Sequence, residues 1–145
     1  MRTFVLATAL LAAAPALAGL SAEQEKQLGE ATYVYIQSER KSGEWSRPAE
    51  IWFFTKGGKV YVGTRPDSWR VKRIKAGRTK ARVAIGKVDG PAFEATGALT
   101  TDPAVEAALL EAFATKYPEG WPKHEAKFRS GFKDGTRVLI KYTPE

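Results

Sequence analysis

Two short apolar runs joined by paired glycines, with a hydroxyl- and arginine-rich turn directly after the second, set the tightest constraint on this chain. Ile51-Trp52-Phe53-Phe54 is followed by Lys56-Gly57-Gly58-Lys59, then by Val60-Tyr61-Val62-Gly63-Thr64. Paired glycines tolerate the positive φ of a two-residue hairpin loop, so the runs are expected to be antiparallel strands, Ala49 to Thr55 and Lys59 to Thr64. The first is apolar throughout, which predicts a strand buried on both faces or lying at an interface. Arg65-Pro66-Asp67-Ser68-Trp69-Arg70 then opens a short basic helix, expected over Asp67 to Lys75, with Val71 and Ile74 on its buried side. Between Arg65 and Lys87 lie nine Lys or Arg and one acid, Asp67. Hydroxyls, a helix start and a cationic field together suit an anionic group such as a phosphate. Two competing readings are that Asp67 caps the helix and takes the N–H groups itself, and that the basic run is a solvated face.

The remaining segments complete the pattern. Ser21-Ala22-Glu23-Gln24 is a capping box opening a short helix to about Gly29. Thr32 to Ser38 is β-branched and aromatic, hence a strand. Strands are also expected over Ala81 to Val88, Ala92 to Thr100 and Arg137 to Tyr142. Asp102-Pro103 is a cap followed by proline at the first helical position. Val105, Leu109, Ala112 and Phe113 form that helix's buried stripe, and one or two helical turns are expected between Pro122 and Arg129. About six hairpin-joined strands with short helices predict a mainly β, α+β domain, a six-stranded antiparallel barrel.

The first residues carry a separate signal. Met1-Arg2-Thr3 is a cationic head, Phe4 to Leu11 an apolar run, and Ala16-Leu17-Ala18 supplies small residues at signal-peptidase positions. Residues 1–18 therefore read as a secretory signal peptide cleaved after Ala18, the run being under the ~20 residues of a spanning helix. The expectation is a periplasmic or secreted protein without a membrane anchor after cleavage, residues 19–145 forming one domain. No twin arginine precedes the run, so any cofactor would be taken up outside the cytoplasm. There is no cysteine, so an exported fold would stand on packing alone. The formal net charge of +7 favours anionic partners.

In order and spacing, residues Arg47 to Leu99 carry a further signal. Arg47-Pro48 precedes a Trp-containing strand, and a Gly-Gly hairpin leads into Tyr61-Val62-Gly63-Thr64. Thr64-x-x-x-Ser68-x-Arg70 and Val71-Lys72-Arg73-Ile74 follow, then Ala81-Arg82-Val83 and Phe93-Glu94-Ala95-Thr96-Gly97-Ala98-Leu99 before the Asp-Pro helix. This set resembles the pyridoxamine 5'-phosphate oxidase-like family of FMN-binding split β-barrels. The resemblance implies a homodimeric flavin- or deazaflavin-dependent oxidoreductase with the cofactor at the subunit seam. It assigns cofactor contacts to Arg47, Gly63, Thr64, Ser68, Trp69 and Arg70, and it implies that Ile51 to Phe54 helps to form the seam. Arg70 stands where most relatives have lysine, which keeps the charge but not the shape.

No catalytic side chain is singled out, as expected where the cofactor carries the chemistry. Trp52, Phe53 and Phe54 suit core or interface better than a stacking platform. His124 is the only histidine, and without cysteines or clustered carboxylates no metal site is expected. No Ser-His-Asp arrangement and no carboxylate pair is legible. The basic residues lack the alternating aromatics of a nucleic-acid platform, so no nucleic acid is expected. A second function class remains open: an exported barrel without a redox cofactor that binds a small anionic ligand or haem.

Overall fold

The computed structural model describes residues 19–145, so the expected signal peptide lies outside the described residues. The chain runs α1 (Ala22–Glu30), β1 (Val34–Ser38), β2 (Ala49–Ile51), β3 (Phe54–Lys56), β4 (Lys59–Thr64), α2 (Trp69–Lys75), β5 (Lys80–Ile85), β6 (Ala92–Thr100), α3 (Pro103–Lys116), α4 (Trp121–Asp134) and β7 (Val138–Pro144). One sheet holds the strands in the order β2-β1-β5-β6-β7-β4-β3, and each neighbouring pair is antiparallel. The two edge strands, β2 and β3, are separated in the chain only by Trp52 and Phe53. Two residues span less than about 10 Å, so the sheet must curl until its edges meet. A split, antiparallel barrel follows from that connectivity alone.

The strands number seven, not six, because the expected strand over Ala49 to Thr55 is broken at Trp52-Phe53. The break is stable because its backbone groups find partners on α3 and just beyond it. Phe53 N–H donates to Tyr117 Oη at 3.1 Å, and Phe53 C=O accepts from Lys116 Nζ at 3.2 Å. The same phenol donates to Thr32 C=O at 2.7 Å, tying the α1–β1 connection to the break. Buried backbone groups need such partners, since an unpaired one costs about 1–3 kcal/mol.

The hairpin expected at Gly57-Gly58 forms, with φ of 57° and 73° at the two glycines and Lys56 opposite Lys59. Strand alternation then feeds two apolar clusters. Val60 and Val62 of β4 and Ile140 and Tyr142 of β7 point into the barrel with Val34, Ile36, Val83 and Val71. Tyr61 and Leu139, one residue out of phase, point outward against Val105, Leu109 and Phe113 of α3 and Trp121 of α4. Full burial of each such side chain stabilises by about 1.5–3 kcal/mol. Helix α2 lays Val71 and Ile74 against the barrel interior.

Helix α3 begins as expected, Asp102 Oδ1 accepting from the N–H groups of Ala104 and Val105 at 3.0 and 3.3 Å. Helix α4 is much longer than the turn or two expected at Pro122 to Arg129. Trp121, Phe128 and Phe132 recur at helical spacing against the outer cluster, so packing carries the helix on to Gly135, where φ is 84°. The ring of Phe128 presses on β4 at Gly63, where a Cβ would lie 2.6 Å from Phe128 Cε1.

Two outcomes are expected in urea unfolding. Gly63→Ala drives a methyl into Phe128 and lowers stability by about 1–3 kcal/mol, as overpacking does. Tyr117→Phe lowers it by about 1–3 kcal/mol through the orphaned Thr32 and Phe53 groups. Burial pushes the Tyr117 phenol up to about 12 from its ordinary value of 10.0. Its contribution is therefore complete below pH 10 and lost as pH rises towards 12, and the Phe variant lacks that part of the alkaline loss.

Candidate anion-binding site

The β1–β2 connection, the turn after β4 and the first turn of α2 bring four of the six sequence-derived candidates into one cleft and three into another, Arg70 being counted in both. The larger cleft, about 470 Å³, is lined by Arg47, Ser68, Trp69 and Arg70, joined by Arg40 and Arg73. The smaller, about 280 Å³, is lined by Gly63, Thr64 and Arg70 together with Trp52, His124 and Phe128. Arg70 lies between them, with Nη2 donating to Thr64 Oγ1 at 3.1 Å. Its Nε is buried and has no hydrogen-bond partner. Thr64 is only 8% exposed, so its hydroxyl serves chiefly to aim the guanidinium.

Ser68, not Asp67, caps α2, its Oγ accepting from Val71 N–H at 3.4 Å. Helix α2 thus begins at Trp69, two residues later than expected. Asp67 turns away to pair with Arg65 at 2.9 Å, both side chains exposed. The sequence reading in which Asp67 would cap the helix and compete with an anion does not hold. The helix is only seven residues long and one of its first N–H groups is taken by Ser68. The cationic side chains, rather than the helix end, concentrate positive potential here.

Arg73 was not among the candidates, and neither was Arg40. Arg73 is half-buried, with Nη1 donating to the buried Ser38 Oγ on β1 at 2.8 Å. Burial, and after it the nearby guanidiniums of Arg40, Arg78 and Arg70, lower its pKa from the ordinary arginine value. Three residues after Arg70 on one helix, Arg73 shares its face, a spacing that was available in the sequence. Arg40 comes from the β1–β2 turn, and nothing local to that turn announced it. Among the described residues the ion pairs are Arg65–Asp67 and Arg129–Glu125, so no carboxylate neutralises this cluster.

Trp69 stands 68% exposed on the rim, with Lys72 Nζ 4.8 Å and Arg73 Cζ 5.5 Å from its ring centroid. Trp52, Phe53 and Phe54 are committed to the chain's own packing. Trp52 stacks on Tyr117 at 4.3 Å and meets the His124 ring edge-on at 5.4 Å. Among the described residues there is no group of three or more potential metal ligands, and no helix is long and apolar enough to cross a membrane.

No family model and no curated protein matches the chain. Solved structures do. A putative pyridoxamine 5'-phosphate oxidase from Listeria innocua superposes with a TM-score of 0.61 at 16% identity, over 85% of this chain and 91% of that one. The heme storage protein HutZ from Vibrio cholerae gives 0.59 at 9% identity, over 88% and 91%. An F420 reductase gives 0.55 at 18% identity, over 83% and 92%. The chain has the split-barrel fold of the pyridoxamine 5'-phosphate oxidase-like proteins.

Proposed function

We propose that this protein is an exported flavin- or deazaflavin-binding oxidoreductase of the pyridoxamine 5'-phosphate oxidase-like type, working as a homodimer. One observation carries the reading: Arg40, Arg47, Arg70 and Arg73 line one cleft without a carboxylate among them, and Arg70 holds a buried Nε with no acceptor. Partly desolvated guanidiniums repel one another, and an incoming phosphate relieves that repulsion while accepting charge-assisted hydrogen bonds. The residues therefore fit the phosphate end of FMN or of a deazaflavin cofactor.

Arg70 and Arg73 would hold the phosphate, their orientation fixed by Thr64 and Ser38. Arg40, Arg47 and the free O–H of Ser68 would complete the cradle, and Trp69 would cover it from the rim. When bound, the flavin supplies hydride or electron transfer. The chain's part is to orient it and to exclude water with the apolar walls at Trp52 and Phe128. The leader-like residues 1–18 support export, and the likeness to an F420 reductase supports a deazaflavin as the alternative cofactor.

FMN titrated into the purified protein is expected to lose fluorescence along a saturable curve. Replacing Arg70 and Arg73 together with Met is expected to weaken binding by about 2–4 kcal/mol, roughly 30- to 1000-fold. The same affinity in wild type and the double variant removes the site assignment.

A cofactor-free anion- or haem-binding role is the second reading. It is favoured by His124, which lines the smaller cleft beside Arg65, Arg70 and Arg137, donors suited to carboxylates. Under that reading haem titration produces a Soret shift that His124→Ala abolishes, while FMN has no effect.

A further inference from the structure

The smaller cleft, about 280 Å³, contains a guanidinium that the phosphate cradle does not use. Arg137, the residue before β7, lines it together with Arg65, Arg70, Glu50 and His124. Its backbone N–H donates to Gly131 C=O on α4 at 3.1 Å. The stem then lies directly on Gly131, where an added Cβ would sit 2.8 Å from Arg137 Cβ, so a side chain at that position would displace it. The guanidinium stands 5.7 Å from the Phe128 ring centroid, and Nη1 donates to Thr136 C=O at 2.9 Å. These contacts aim the group without neutralising it.

The charges around the cleft decide what kind of anion it suits. Arg65 is offset by Asp67 at 2.9 Å. Glu50 is the one carboxylate in the lining, and its Oε2 accepts from the Tyr35 phenol at 2.7 Å. Among the described residues neither Glu50 nor Arg137 is in an ion pair. That leaves Arg70 and Arg137 against Glu50, an excess of one positive charge, which matches a monoanion. The larger cleft, with four arginines and no carboxylate, matches a dianion instead. The rest of the smaller cleft's wall is apolar: Ile51, Trp52 and Phe128. Trp52 is fixed there by its stack on Tyr117 at 4.3 Å, and it also lines a separate cleft of about 300 Å³ with Lys116 and Glu119.

We propose that the smaller cleft is a site for a small monocarboxylate, held by Arg137 and Arg70 with its apolar body against Ile51, Trp52 and Phe128. A guanidinium's planar fork presents paired N–H donors that match the two carboxylate oxygens. Apolar walls exclude water and strengthen those hydrogen bonds. A cleft of about 280 Å³ is at the small end for ligand pockets, which restricts the acid to a single ring or a short branched chain. This names the ligand of the cleft on which the second reading rests, and it holds whether or not the larger cleft takes a flavin.

The test is calorimetric titration of the flavin-free protein at pH 7.5 and low salt with benzoate, and with benzamide, which has nearly the same shape and no charge. Benzoate is expected to bind on the order of tenfold or more tighter than benzamide, as charge-assisted hydrogen bonds require. Arg137→Met, which keeps an unbranched stem along Gly131, is expected to weaken benzoate binding on the order of tenfold or more and to leave the FMN titration at its wild-type affinity. Equal affinity for benzoate and benzamide overturns the carboxylate class. Benzoate binding that Arg137→Met leaves unchanged overturns the site. The comparison of the two probes uses the unaltered chain, so it does not depend on a variant's folding. Benzoate bound by a protein that takes up neither FMN nor haem supports this site while removing both cofactor readings.

Discussion

One phenol oxygen holds the barrel shut. Tyr117 Oη accepts from Phe53 N–H and donates to Thr32 C=O, so three chain segments far apart in sequence meet at a single atom. Without partners there, the interruption between β2 and β3 would leave buried backbone groups unpaired, and the chain would have no inexpensive way to place consecutive strands on opposite sheet edges. The rest follows from that closure. It brings the end of β2 and the end of β4 to one cleft, which Trp52 and Thr64 both line.

The cationic cluster is the second organising feature, and it has the opposite character. The knot at Tyr117 is satisfied, whereas the arginines are not. Like charges in a partly desolvated cleft raise the energy of the folded state unless an anion arrives. The surrounding polar groups fix their positions rather than neutralise them: Thr64 orients Arg70, and Ser38 orients Arg73. Such an arrangement is prepared in advance, so little side-chain ordering is left for the moment of binding.

Much of this was legible in the sequence, and the parts that were not share a cause. Hairpin, caps and strand alternation are local, and Gly57-Gly58, Asp102-Pro103 and Val60/Val62 announced them. The break at Trp52-Phe53 was hidden because its partners, Lys116 and Tyr117, lie more than sixty residues away. The length of α4 was hidden because Pro122 and the charges around it obscured a stripe completed only by Phe132. In the candidate site, Arg47, Ser68 and Arg70 were assigned by the family resemblance, whose motifs lie in one stretch, and they line one cleft. Arg40 could be placed there only by the fold, since β1 and α2 pair through no sequence pattern. The resemblance assigned Gly63 a cofactor contact, and the space where its Cβ would lie is filled by Phe128.

Trp52 has a place in the architecture that its burial alone does not convey. One indole forms part of the wall of the smaller cleft and part of the wall of the cleft holding Lys116. Its face is committed to Tyr117, and its rim is packed on Gly120, where a Cβ would sit 2.7 Å away. The ring therefore has no room to tilt towards one chamber without withdrawing from the other. A partition held at both its face and its rim keeps the two clefts apart, so one fixed indole sets a boundary of each.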